Sequence, residues 1–414
     1  MLEGFNSNSK YTIKQIFKDD NNLKTFFDLN KGNIRDVVIE NVQKIMNCGD
    51  KDKLGYGMYL CPSCGNKLYV AHTCKSRFCN SCGKIMTDNW IKWAQNNMLN
   101  CPYHHIIFSP PSELWLFFAA NRDCLDLLFR AVSRAIMSWC EKEGFMPGIV
   151  SVMHTFGATL DFHPHVHILL TEGGISENPH FDFLVWRECG FFPEKVLKER
   201  FKYYLIKYLR GWAGKNKYFA PLEVKQIWKN KLNCDNLYNA TQELYKIIWY
   251  VHIGEKLKNA KFTTEYIGRY AKRPCISEAN IIGYDQKKKT VSFRHKDKKT
   301  NTEKIKTMAV MEFIGRLVRH IPEKNYRMIR YYGIYANAVK NSFLELLTYQ
   351  ISKLFTVAKL IFSPKRILNS WRDRIIDSTG NDPLACKKCN EQMELTEIGY
   401  RARDGTFKIY PVFS

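Results

Sequence analysis

The sequence predicts an α+β fold: an antiparallel sheet flanked by helices, with an N-terminal zinc-binding module and a mostly helical C-terminal tail. Three observations carry this reading. The first is the run His163-Pro164-His165-Val166-His167-Ile168-Leu169-Leu170. Alternate side chains of a strand share a face, so the histidines point one way while Val166, Ile168 and Leu170 point to a core. The second is the order around it. A strand at Tyr103–Ser109 is stopped by Pro110-Pro111. A long amphipathic helix follows, capped by Ser112 and running through Leu116, Ala120, Leu127, Leu128, Ala131, Ala135 and Trp139. A second strand then spans Ile149–Phe156. This is the pattern of an α+β sandwich with one open sheet face. The third is a pair of Cys-x-x-Cys-Gly knuckles, Cys61–Gly65 and Cys79–Gly83, with the ligand spacing of a zinc ribbon or finger.

The chain has 414 residues, room for two or three domains. Its formal net charge of +23 calls for a polyanion, and nucleic acid is the default. No signal peptide and no apolar run of membrane-spanning length stands in the sequence. A non-exported chain is therefore expected, without a membrane partner, and its 14 cysteines point to metal rather than disulfides.

Residues 1–30 are polar and weakly patterned. Ile34, Val37, Val38, Val42 and Ile45 recur at helical spacing, and Gly49 ends that helix. In the knuckle region Cys61, Cys64, Cys79 and Cys82 are read as one tetrahedral zinc site. Cys74 is a fifth thiol beside it, serving a second site or displacing one of the four; Cys48 and His72 are read as bystanders. Stretch 176–240 is helical and rich in lysine, arginine and aromatic residues. Short strands are expected at Ile281–Gly283, Val291–Phe293 and Met308–Met311, with Lys287, Lys288, Lys289, Lys296, Lys298 and Lys299 in the turns and Arg294 beside them. Charge so one-sided favours phosphate contact over a merely solvated loop. The lone knuckle Cys386-Lys387-Lys388-Cys389 offers two ligands and lacks a following glycine. The division expected is 1–98, 99–335 and 336–414.

Pro164 fits a strand's first turn or edge, so the strand proper is expected from His165. His165 and His167 then form half of a metal site, with His163 on its rim. His154, on the adjacent antiparallel strand, is the preferred third ligand, with His163, Asp161 and Glu265 as rivals. Tyr266 and Tyr270 stand one turn apart on a helix that Pro274 ends.

Taken in order, these blocks resemble the rolling-circle insertion-sequence transposases of the IS91 type, within the HUH nuclease superfamily. The matching blocks are Ser76-Arg77-Phe78-Cys79, Phe108–Pro111, His154–Gly157, His163–His167 with Gly173-Gly174, Tyr266–Pro274, His320-Ile321-Pro322, Arg330–Gly333 and Asp382-Pro383-Leu384. The resemblance implies an HUH-nuclease-like sheet and cleavage and joining of single-stranded DNA through a 5′-phosphotyrosine link. Tyr266 and Tyr270 would be the nucleophiles. A divalent metal, Mg2+ or Mn2+, would be held by His165, His167 and His154, beside a structural Zn2+. Arg269, Lys272, Arg273, Lys287, Lys288, Lys289 and Arg294 would contact DNA. Double-stranded element ends or target would sit at the zinc module, and the protein would work in the bacterial cytoplasm, on the nucleoid. No nucleotide-binding Gly-x-x-x-x-Gly-Lys-Ser/Thr loop is present. This agrees with a phosphotyrosine bond that conserves the energy for rejoining. The competing readings are a plasmid relaxase or replication initiator, an inactive zinc-ribbon DNA-binding protein, and a metallohydrolase of the His-x-His-x-Asp-His type. The last lacks its Asp after His167.

Overall fold

The computed structural model describes residues 10–177, 184–258, 268, 274–297, 300–336, 370–402 and 404–412. The chain forms two compact units, each built from separate segments. One comprises Met1–Trp90, Lys272–Pro322 and Arg366–Ser414; the other comprises Ile91–Ala271 and Glu323–Lys365.

The second unit is organised by an antiparallel sheet. Its strands lie side by side in the order Ile329–Gly333, Met146–Phe156, Phe162–Glu177, Tyr103–Ser109 and Tyr250–Leu257, and the short strand Leu184–Arg187 pairs with the far end of Phe162–Glu177. Paired residues share a face. Ile149↔Leu170, Ser151↔Ile168 and Met153↔Val166 turn to one side; Val150↔Leu169, Val152↔His167 and His154↔His165 turn to the other. The first face is the core. Helices Leu125–Lys142 and Glu194–Asn216 cover it, burying Leu128, Val132, Ala135 and Ile136 from one, and Leu197, Phe201, Leu205 and Leu209 from the other, at helical spacing.

The histidine face is not open, as the sequence pattern suggests. Val150, Val152 and Leu169 are fully buried on it. From Ile91 onward the helix Asn80–Asn97 supplies part of the cover: Trp93 stands edge-on to Tyr331, which pairs with Val150. The long helix expected after Ser112 is broken. Trp115–Ala120 and Leu125–Lys142 are separate, because Asn121 leaves the helical region at φ −122°, ψ 78°. The central strand begins at Phe162, ahead of Pro164. Pro164 falls in the register shift between His154 and Phe156, where the ladder asks no donor of it.

The first unit holds two smaller sheets. Strands Ile281–Asp285, Thr290–Lys296 and Glu303–Ala309 form an antiparallel meander. The last ends earlier than expected. Val310, Phe313, Ile314, Leu317 and Val318 recur at helical spacing and are buried by the helix Val310–Arg319. The second sheet has the order Phe407–Pro411, Glu394–Arg401, Tyr56–Leu60, Lys67–Ala71. Thus the tail carries, beside the helix Trp371–Thr379 with its Ser370/Asp373 capping box, two strands that extend the sheet of the first knuckle. Near the N-terminus, helices Ile13–Lys18 and Asn22–Leu29 stand where the sequence shows little pattern, anchored by Ile13, Ile16, Phe17 and Phe26. Asp36–Met46 is the expected helix and buries Val38 and Val42. Among the described residues no helix is long and apolar enough to cross a membrane.

Candidate functional site

His154 and His165 are directly paired across adjacent strands, and His167 lies two residues further along. One ring nitrogen from each lies within 4.8 Å of the others. All three are buried: His154 is 2%, His165 7% and His167 6% exposed. Neighbouring groups orient two of the rings. His165 Nδ1 is 2.8 Å from the carbonyl of His163, an acceptor, so Nδ1 carries the proton and Nε2 keeps its lone pair. His167 Nδ1 is 2.8 Å from Nε2 of His105, and the two rings are parallel to within 1°. Burial, helped by nearby His252, lowers the His105 pKa to about 4. His105 is therefore neutral near pH 7. In the tautomer with the His105 proton on Nδ1, its Nε2 accepts from His167 Nδ1–H and the Nε2 lone pair of His167 is left for a ligand.

The rivals for the third position are placed elsewhere. His163 is bonded through Nε2 to Ser109 Oγ at 2.7 Å and stacked on Trp115. Asp161 sits exposed in the hairpin turn and accepts from Thr159. Glu265 lies outside the described residues, as do Tyr266, Tyr270, Arg269, Lys272 and Arg273. Gly268, between the two tyrosines, is helical and buried. A Cβ built on it would run into the Ile91 side chain, so the backbone there needs a residue without one.

Lys287, Lys288 and Lys289 are exposed at the tip of the turn between two strands of the meander. Arg294 is exposed too, but Glu303 pairs with it across the ladder at 3.4 Å.

The cysteines form two clusters, not the single tetrad Cys61, Cys64, Cys79 and Cys82. Cys79 and Cys82 converge with Cys48 and Cys74; Cys61 and Cys64 converge with Cys386 and Cys389. Backbone pairing is the cause. The amide of Gly49 donates to the His72 carbonyl at 3.2 Å and draws Cys48 to Cys74. The strand Tyr56–Leu60, ending just before Cys61, pairs with Glu394–Arg401 and brings in the C-terminal knuckle. In the first cluster the Sγ–Sγ distances are 3.7 Å for Cys48–Cys82 and 3.6 Å for Cys74–Cys82 and Cys48–Cys79. A tetrahedron of Zn–S bonds of about 2.3 Å has edges of roughly 3.8 Å, so this donor set fits zinc. His72 holds the Leu54 carbonyl through Nδ1 at 3.3 Å, as part of the scaffold.

Comparison with known proteins agrees with this layout. A family model described as "Putative transposase" matches residues 148–342, and one described as "Transposase zinc-binding domain", of the IS91 type, matches residues 20–110. The transposase for insertion sequence element IS801 of Pseudomonas savastanoi pv. phaseolicola is 33% identical over 379 residues, 89% of this chain and 85% of that protein. The chain belongs to the IS91/IS801-type insertion-sequence transposases. A second relative in this family, "Putative transposase y4qJ" of Sinorhizobium fredii, is 28% identical over 353 residues, 83% of this chain and 85% of its own length. No solved structure gives a significant match. Membership of this transposase family makes the chain a DNA-processing enzyme with a zinc-binding domain.

Sequence reasoning passed over His105, read Cys48 as a bystander and left the tail cysteines two ligands short of a site. His105 had a usable signal, since strand alternation puts it and Ile107 on one face of Tyr103–Ser109. Cys48 and the tail cysteines had none, because their partners are set by pairings between distant segments.

Proposed function

We propose that this transposase cuts and rejoins single-stranded DNA at the ends of its element. Tyr266 and Tyr270 are the nucleophiles, and His154, His165 and His167 hold a divalent metal. The observation that carries this is the convergence of three buried imidazoles on one sheet face, with His165 held by the His163 carbonyl so that its Nε2 keeps a lone pair. His154, His165 and His167 would hold the cation, which would supply polarisation of the scissile phosphate and offset charge in the transition state. An all-imidazole set suits Mn2+ better than Mg2+, which prefers oxygen.

The chain's residues do the rest. The phenol of one tyrosine gives up its proton as its oxygen attacks phosphorus; the O–P bond forms, the bond to the 3′ oxygen breaks, and that oxygen takes up one proton in exchange. The 5′ end stays on tyrosine as an ester, and a later 3′-hydroxyl reverses the step without a nucleotide cofactor. Two tyrosines hold two ends at once. Lys287, Lys288 and Lys289 give a cationic edge for the phosphate backbone, and Arg269, Lys272 and Arg273 add charge beside the tyrosines. Arg294 contributes less, because Glu303 already pairs with it. Cys48, Cys74, Cys79 and Cys82 hold the zinc of the zinc-binding domain, whose task is to place double-stranded DNA beside the nuclease.

The test is incubation of the purified protein and Mn2+ with labelled single-stranded terminus DNA, followed by peptide mapping of the covalent product. The expected adduct lies on Tyr266 or Tyr270. An adduct on another residue, or cleavage that leaves no protein-linked DNA, overturns the reading.

A further inference from the structure

We propose that the chain carries a second structural zinc, held by Cys61, Cys64, Cys386 and Cys389. This zinc clasps the C-terminal knuckle onto the N-terminal one.

The sulfur geometry is the first support. Cys61–Cys389, Cys64–Cys386 and Cys64–Cys389 are separated by 3.4, 3.5 and 3.6 Å between Sγ atoms. A disulfide needs about 2.05 Å. Tetrahedral thiolates around zinc need roughly 3.8 Å. The four sulfurs therefore stand at nearly the spacing of a zinc shell and well beyond that of a bond.

The backbone is the second. The two knuckles repeat one hydrogen-bond pattern. The Cys61 amide donates to the Asn66 carbonyl at 2.9 Å, and the Gly65 amide to the Cys61 carbonyl at 3.0 Å. Correspondingly, Cys386 donates to Glu391 at 2.8 Å, and Asn390 to Cys386 at 2.8 Å. Gly65 takes a left-handed φ of +70°. The C-terminal knuckle lacks that glycine, which counted against a metal role there. Asn390 fills the same place at φ 62°, since asparagine is among the few side chains that visit this region readily. The two knuckles are thus matched halves of one site.

Thiolate charge is met as well. Cys386 Sγ accepts from the Lys388 amide at 3.4 Å and from the Asn66 side-chain amide at 3.6 Å, so each knuckle supplies a donor to this sulfur. Cys61 and Cys386 are buried with Met393, against Tyr59 and Leu68, while Cys64 and Cys389 face outward. The zinc-binding family model ends at residue 110, so it contains half of these ligands. The other half comes from the tail.

The test uses the full-length protein purified with zinc. Metal analysis by mass spectrometry should show one zinc fewer per chain in Cys389→Ser and in Cys64→Ser than in wild type, with Cys389→His restoring it. Both positions are exposed, which limits disturbance of the fold. In the Co2+-exchanged protein the thiolate-to-metal absorption should fall by about half in Cys389→Ser, a readout to which the histidine cluster contributes nothing. Wild-type protein gives an independent check. Cys64 and Cys389, though exposed, should resist N-ethylmaleimide until a chelator is added. Equal zinc content in wild type and both serine variants, or labelling of the two thiols at the rate of free cysteine before chelation, overturns the proposal.

Discussion

His105 Nε2 lies 2.8 Å from His167 Nδ1, ring against parallel ring, so a histidine on one strand is hydrogen-bonded to a histidine on the next. Neither is the other's direct cross-strand partner: His167 faces Ile107, and His105 faces Leu169. A diagonal pair of this kind orients a metal-binding imidazole through its far nitrogen. His105→Leu should therefore weaken metal activation of nicking by about 10- to 100-fold. His105→Gln, which restores an acceptor, should recover part of it. The measurement is the Mn2+ midpoint of the nicking reaction. An unchanged midpoint in His105→Leu would remove His105 from the site.

Loss of a ligand should be more severe. His165→Ala and His167→Ala are each expected to abolish nicking while leaving DNA affinity near wild type, because the lysine turn at Lys287–Lys289 is untouched. Gel shift and cleavage assays on the same oligonucleotide separate the two effects. Nicking at the wild-type rate in both variants would end the assignment.

The tyrosines are best tested by Phe, which keeps packing and removes only the nucleophile. Tyr266→Phe and Tyr270→Phe should each stop complete transposition, and the double variant should stop all covalent capture of DNA. Tyr266 is taken as the initiating residue, since Tyr270 stands nearer in sequence to Lys272 and to Pro274. Normal transposition by Tyr270→Phe would reduce that tyrosine to a packing role.

His104 offers a test on the core side of the sheet. It is buried edge-on against Phe192, and neither ring nitrogen has a protein hydrogen-bond partner among the described residues. Burial lowers its pKa. An unfolded histidine takes its proton near pH 6.5, whereas the folded one waits for a lower pH. Unfolding thus takes up a proton as the solution is acidified, and the fold loses stability as pH falls below about 6.5. His104→Leu should relieve this loss and raise stability at neutral pH by about 1 kcal/mol. Urea melts at pH 7 and pH 5 would show it. A variant with the same acid sensitivity as wild type would refute the attribution.

Chelation should act on the zinc-binding unit before the histidine sheet. Stripping zinc from Cys48, Cys74, Cys79 and Cys82 is expected to release the turns around Cys74–Cys82. In hydrogen exchange that region should lose protection, while Val166–Leu170 keeps it. Exchange unchanged after complete zinc removal would show that the cysteines are not what holds those turns.

The histidine strand was legible because alternation is a local property. Val166, Ile168 and Leu170 had to turn one way, and the histidines followed. The pairing of His154 with His165 was legible too, since a short hairpin joins them. Partners set by distant pairing were not. Nothing near Cys61 indicates that Tyr56–Leu60 pairs with Glu394–Arg401, so Cys79 and Cys82 looked like the natural complement of Cys61 and Cys64. The helices Ile13–Lys18 and Asn22–Leu29 were missed because each is too short to display a period. The burial of the histidine face was missed because a strand's own alternation says nothing about what lies over it. Motif order gives a division at 98 and 335, whereas one compact unit gathers Met1–Trp90, Lys272–Pro322 and Arg366–Ser414, and the other gathers the two segments between them.

The pairing of Tyr56–Leu60 with Glu394–Arg401 also sets a schedule for biosynthesis. The early strands Tyr56–Leu60 and Lys67–Ala71 leave the ribosome as a two-stranded ribbon, and their companions Glu394–Arg401 and Phe407–Pro411 follow only after the strands of the histidine sheet. A lone two-stranded hairpin is marginal in water, so this sheet waits for strands that lie beyond the whole histidine sheet in the chain. A product cut short in the tail before Glu394 would keep every histidine of the sheet yet leave its N-terminal ribbon unfinished.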